Sequence, residues 1–100
     1  MVRMWPIALG EHTALGIEVE LPRTHLAIVT TDEGYIMCGA LDVGLLSEKL
    51  RARGIVAARA VGVRTVEELL AAPMESVTPA AAERGVQVGM PGHDAIGRMF

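Results

Sequence analysis

Gly34-Tyr35-Ile36-Met37-Cys38-Gly39-Ala40-Leu41-Asp42, continuing through Val43-Gly44-Leu45-Leu46 to Lys49-Leu50, reads as a buried strand that passes into a helix with almost no loop. The strand half is apolar and short. The helix half carries Val43, Leu46 and Leu50 near one stripe, with Glu48, Lys49, Arg51 and Arg53 on the other side. Gly54 then supplies a left-handed C-terminal cap to a helix spanning residues 42–53. Ile55 to Val61 returns as a strand. A strand, a helix and a strand in unbroken succession imply a right-handed parallel crossover.

Working back from that junction, the first third of the chain reads as a sheet being assembled. Arg3 to Leu9 is apolar around a single proline, Pro6, which suits an edge strand. After the turn Gly10-Glu11-His12, Thr13 to Leu21 alternates, with Leu15, Ile17, Val19 and Leu21 on one face and Gly16, Glu18 and Glu20 on the other. That period of two predicts a half-buried strand with the leucine face inward and the glutamate face wet. Leu26 to Val29 is an interior strand, and Asp32-Glu33-Gly34 is a tight connection in which glycine is expected to take a positive φ. Four strands on short turns make an antiparallel meander.

Beyond the crossover strand, Thr65-Val66-Glu67-Glu68 is a capping box opening a helix that ends before Pro73. Thr78-Pro79 opens another, over residues 80–84, which Gly85 stops. Val86 to Val88 is expected as a short last strand, and Pro91 to Met99 as a final amphipathic turn or two with Ile96 and Met99 inward. The architecture is α+β in two layers: a mixed, mostly antiparallel sheet, made of a four-stranded meander plus one parallel crossover strand, with helices on one face. One hundred residues leave room for one domain, 1–100.

Composition narrows the function classes. The chain is 51% hydrophobic yet has one Trp, one Tyr and one Phe. In a domain this small much of that apolar surface reaches the outside, and homo-oligomerisation is its natural outlet. No apolar run approaches the roughly 18 residues of a membrane span, and the first residues lack a signal-peptide core, so no membrane association is expected. A lone cysteine points to a reducing, cytoplasmic setting. The net charge of −3, without a basic run, argues against nucleic acid.

Chemistry, if present, belongs at the junction 37–42. Cys38 stands at a strand end before a helix start, where a thiolate is favoured, and Gly39 allows close approach of a substrate or another backbone. Against this, a lone cysteine is more often inert packing, and no Cys-His spacing marks a nucleophile. Asp42 reads first as a helix cap, with ligand binding compatible. Arg59 interrupts an apolar strand, so it faces solvent or meets a carboxylate. Arg64 precedes a helix start, a natural anion site. For both arginines internal ion pairing is the plainer reading. His12, His25 and His93 show no metal-ligand spacing, and the glycines form no phosphate loop or dinucleotide fingerprint; no metal and no cofactor is expected.

The segment Gly34 to Asp42, with Glu48-Lys49-Leu50, Arg53-Gly54-Ile55-Val56-Ala57, Arg59-Ala60-Val61-Gly62-Val63-Arg64-Thr65, Leu69-Leu70, Ala72-Pro73 and Glu75-Ser76-Val77-Thr78, resembles the YunC-like family of small uncharacterised bacterial and archaeal proteins. The likeness covers nearly the whole chain and is most specific between Gly34 and Thr78. It implies a stand-alone α+β domain and carries no assigned activity. The expected function is a homo-oligomeric binding or assembly module with an anion or small anionic metabolite held at the junction. The alternative is a small enzyme with Cys38 as nucleophile and Arg59 and Arg64 as an anion clamp, which lacks an evident general base.

Overall fold

A computed structural model describes residues 1–39 and 54–100 of the protein. Six strands form one sheet in the order of the chain: β1 (Val2–Leu9), β2 (His12–Leu21), β3 (Thr24–Thr30), β4 (Tyr35–Met37), β5 (Ala57–Arg59) and β6 (Ser76–Val77). Every neighbouring pair is antiparallel except β4 and β5, which run parallel. The described residues also form three short helices: α1 (Val66–Ala71) between β5 and β6, then α2 (Pro79–Glu83) and α3 (Gly92–Gly97). The α+β mixed sheet with its meander and parallel crossover pair is as the sequence implies. The helix expected over 42–53 lies outside the described residues.

Register divides the sheet into two faces. Across one run Trp5, Gly16, Val29, Ile36, Ala58 and Val77, each opposite the next on the neighbouring strand. This is the inner face. Val29, Ile36 and Ala58 are fully buried there beneath Val66 and Leu69 of α1, Ala81 of α2, and Ala95 and Ile96 of α3. The other face carries the row Met4, Ile17, Ile28, Met37, Arg59 and Ser76.

β2 therefore sits the opposite way round from the reading of its alternation. Ala14 and Gly16 are buried against the helices, whereas Leu15, Ile17 and Val19 are half-buried on the outer face and Leu21 is exposed. The reason is steric. Trp5 and Ile7 of β1 lie across β2 on the inner face, and a Cβ at position 16 would come within 2.7 Å of Ile7 Cδ1. Large side chains from the edge strand occupy the space, so β2 supplies small ones beneath them.

β1 is the edge strand. Its hydrogen-bonded pairing with β2 places Met1 opposite Glu20, so Val2, Met4, Pro6 and Ala8 are the positions whose backbone groups point away from β2. Pro6 thus falls where no ladder donor is required, and it removes a donor from the open edge.

Three local expectations change. Gly34 does not take a positive φ; it is needed for room, because a Cβ there would lie 2.6 Å from the Val56 carbonyl oxygen. The turn is held instead by the Thr31 hydroxyl, which accepts from the N–H groups of Glu33 and Gly34. Val86 to Val88 is not a strand. The Val86 N–H returns to Ala81 C=O and the Gly85 N–H to Ala82 C=O, closing α2 with a Schellman motif around Gly85, whose φ is +90°. In the capping box of α1, Thr65 Oγ1 accepts from Glu68 N–H as expected, but the Glu68 carboxylate reaches the N–H of Arg64, one residue upstream of the cap. The two-residue strand β6 gave no periodic pattern to read.

α3 crosses α1 at close range through Gly92, which is buried; a Cβ there would stand 2.1 Å from the Leu69 carbonyl oxygen. Backbone meets backbone at that point, and neither side can rotate away. Gly92→Ala is expected to destabilise the protein by about 3 kcal/mol, at the upper end of overpacking costs. Gly97→Ala, whose Cβ meets nothing within 4 Å, is expected to be neutral or slightly stabilising. Urea unfolding of the two variants makes the comparison.

Candidate functional site

The carboxyl ends of the parallel pair β4 and β5 bring the junction residues beside the second half of the chain. Cys38 N–H donates to Ala27 C=O at 3.0 Å, and Ala60 N–H to Met37 C=O at 3.0 Å. Gly39 is exposed and lies against Val61, with 3.5 Å between an ideal Cβ and Val61 Cγ1. Crevices at the carboxyl ends of parallel strands are a common location for ligands.

Cys38 itself is 4% exposed and carries a free thiol. It lies two residues beyond Ile36 and shares that residue's inward direction, and it lines none of the described clefts. Asp42 lies outside the described residues.

Arg59 projects from β5 on the outer face, and Glu75 is one of its partners: Arg59 Nε donates to Glu75 Oε2 at 2.8 Å. Glu75 also accepts from the Ser76 hydroxyl. The Ser76 hydrogen bond first, and the Arg59 hydrogen bond second, hold the Glu75 carboxyl below the usual carboxylate range. A carboxyl with a depressed folded-state pKa contributes stability above its unfolded pKa and loses it as pH falls through the folded one. This pair therefore persists through neutral pH and is lost only in acid.

Arg64 stands in a different setting. At the helix start it precedes, Glu18 Oε2 on β2 accepts from Val66 N–H at 2.8 Å and Thr65 takes Glu68 N–H, while Glu68 takes the N–H of Arg64 itself. Arg3 pairs with the same Glu18 carboxylate. The Arg64 side chain instead lines an open cleft of about 500 Å³ with Arg23, Thr24, His25, Gly62 and Val63, between the β2–β3 turn and the loop after β5. Arg59 is not among its walls. Arg64 and Arg59 thus face separate surroundings.

A larger cleft, about 550 Å³, opens at the other end of the β2–β3 hairpin, between Pro6, His12, Thr30, Thr31, Asp32, Glu33 and Phe100. Its wall includes the His12 ring stacked on Phe100, with centroids 4.5 Å apart. Nothing local in the sequence points to it, since the stacking partners are 88 residues apart. Among the described residues no three His, Cys, Asp or Glu side chains converge as metal ligands, and no helix is long and apolar enough to cross a membrane.

Two measurements follow. Cys38 is expected to react with a thiol reagent only as fast as the protein opens, with full labelling on denaturation; immediate reaction in native buffer would show the thiol to be accessible. The carboxyl of Glu75, followed by NMR, is expected to titrate below free glutamate and to move upward in Ser76→Ala. An unchanged midpoint in that variant would remove the serine as the leading cause.

Comparison with known proteins places the chain in a group. It is 54% identical, over 100% of its own length and 99% of the relative's, to the uncharacterised protein YunC of Bacillus subtilis (strain 168). Its fold matches the crystal structure of TA1206 from Thermoplasma acidophilum, a protein of unknown function, with a TM-score of 0.89 over 100% of this chain and 94% of that one, at 23% identity. The family described as "Domain of unknown function (DUF1805)" matches residues 37–99, from the junction through the three helices, and the chain belongs to that family.

Proposed function

We propose that the protein is an assembly module whose outer sheet face is covered by a second copy of the same chain. The observation that carries this reading is the apolar outer face over β1, β2 and β3. Val2 and Met4 are each 60% exposed and Leu21 49%. Between them Leu15, Ile17, Val19, Leu26 and Ile28 are half-buried. All three described helices place their buried residues on the inner face, and none of these outer side chains joins that core. Among the described residues the face closes only at its β4–β5 end, where Ala57 is fully buried with Tyr35, Met37 and Ile55 packed against it.

A contiguous apolar face of this kind marks an interaction surface. Pairing through the sheet edge is disfavoured by Pro6, which interrupts the outward donors of β1. Packing face against face uses the alternation of β2 directly, since the strand's large apolar residues, Leu15, Ile17, Val19 and Leu21, all stand on the outer side. A second copy is the partner that is always present at matching concentration, and a two-fold contact repeats the same patch on both sides.

The alternative, an enzyme with Cys38 as nucleophile and Arg59 and Arg64 as its anion clamp, is less well supported. The thiol is 4% exposed, Arg59 is engaged by Glu75, and Arg64 lines a cleft to which Arg59 does not contribute.

Light scattering at micromolar concentration is expected to give a dimer or higher oligomer. Met4→Glu, at an exposed position, is expected to shift the species to monomer, weakening association about tenfold or more as a charge is driven into an apolar contact. The far-ultraviolet spectrum should be unchanged. A wild-type monomer across the micromolar range would remove the assembly reading.

A further inference from the structure

We infer that the cleft formed by Arg23, His25 and Arg64 binds the phosphate group of a small metabolite.

Two arginines and a histidine meet at one cleft in a protein whose net charge is −3. Arg23 comes from the β2–β3 turn, His25 from the start of β3, and Arg64 from the loop that leads into α1. Among the described residues no carboxylate lines the cleft. The other described arginines whose ion pairs are defined sit on glutamates: Arg3 on Glu18, Arg59 on Glu75 and Arg84 on Glu33. Among the described residues neither Arg23 nor Arg64 has an ion-pair partner. Arg64 and His25 also border the adjoining groove, whose walls carry Glu18 and Glu20; Glu18 is taken by Val66 N–H and Arg3, and Glu20 stands opposite His25 in the strand register.

The backbone points the same way. Arg23 has φ +58°, the only positive φ at a non-glycine among the described residues. At the third position of the turn Leu21-Pro22-Arg23-Thr24 glycine is the residue of least strain, and an L side chain there is held at a cost in backbone energy. Arg23 lines this corner from a turn position at which glycine would carry less strain. On the facing wall the N–H groups of Gly62 and Val63 donate to no acceptor among the described residues, and Gly62 has φ +77°. Two planar guanidinium forks around one opening, with the backbone of Gly62 and Val63 on its wall, match the several oxygens of a phosphate. A cleft of about 500 Å³ accommodates a small metabolite and is open at the surface.

The test is a titration of the full-length protein with inorganic phosphate at constant ionic strength, followed by amide NMR. The expected result is saturable shifts confined to residues 23–25 and 62–64, with a Kd of about a millimolar for so small a probe, and none with chloride. Arg64→Ala is expected to weaken binding about tenfold, the loss of one forked contact. Arg23→Gly separates binding from folding: it should raise the melting temperature, because strain is relieved, while also weakening phosphate binding. Shifts that fail to saturate, that chloride reproduces, or that survive in both variants would overturn the inference. Once phosphate binding holds, phosphorylated sugars, nucleotides and acids compete in the same assay, and the tightest class names the metabolite.

Discussion

The hydroxyl of Thr78 is the fixing point on which the helical layer depends. It is buried at 1% exposure, donates to the Ile55 carbonyl at 2.7 Å, and accepts from the N–H groups of Ala57 and Ala81. The Thr78 N–H in turn donates to Ala57 C=O. One side chain thus joins the entry to the parallel strand β5, the end of β6 and the first turn of α2. A buried hydroxyl is tolerated because each of its hydrogen-bonding capacities is used, and removing it would strand backbone groups on two elements at once. The remaining layer follows from that attachment. α2 closes through its Schellman motif, the chain returns along Met74 and Met90, which are joined by a backbone hydrogen bond, and Gly92 lets α3 cross α1.

The meander was legible in the sequence because each of its strands carries a local pattern and each turn a local breaker. What the alternation of β2 does not contain is direction. Leu15, Ile17, Val19 and Leu21 form the more apolar set, and hydropathy alone turns them inward. Trp5 and Ile7 decide otherwise, since their side chains fill the inner face opposite Gly16 and Ala14. That is a relation between strands, and a single strand cannot show it. Gly34 repeats the lesson. Its presence in a turn suggested backbone freedom, whereas the requirement comes from Val56, 22 residues away.

The candidate residues divide in the same manner. Arg64 was visible from its position ahead of a capping box, and Cys38 from its place at a strand end. The partners that give each residue its setting come from elsewhere in the chain. Glu18 on β2 occupies the start of α1, and Arg23 and His25 come from a hairpin some forty residues upstream of Arg64. Pro22-Arg23 reads in sequence only as a break between strands. Its positive φ at Arg23 belongs to the three-dimensional turn. Arg59 is expected to face solvent or meet a carboxylate; it meets Glu75, the residue just ahead of the neighbouring strand β6.

The strands lie in the sheet in the order in which they occur in the chain. A growing sheet of this kind can be zipped from β1 to β4 by closing small loops, each hairpin templating the next. The pairing of β4 with β5 is the exception, because two parallel strands cannot be joined by a tight turn and a longer stretch of chain must be closed first. Everything from Thr65 onward depends on that closure, since α1 to α3 cover an inner face that β5 completes. The parallel seam between β4 and β5 is therefore the sheet contact that costs the most chain entropy to close, while the hairpins from β1 to β4 close the shortest loops.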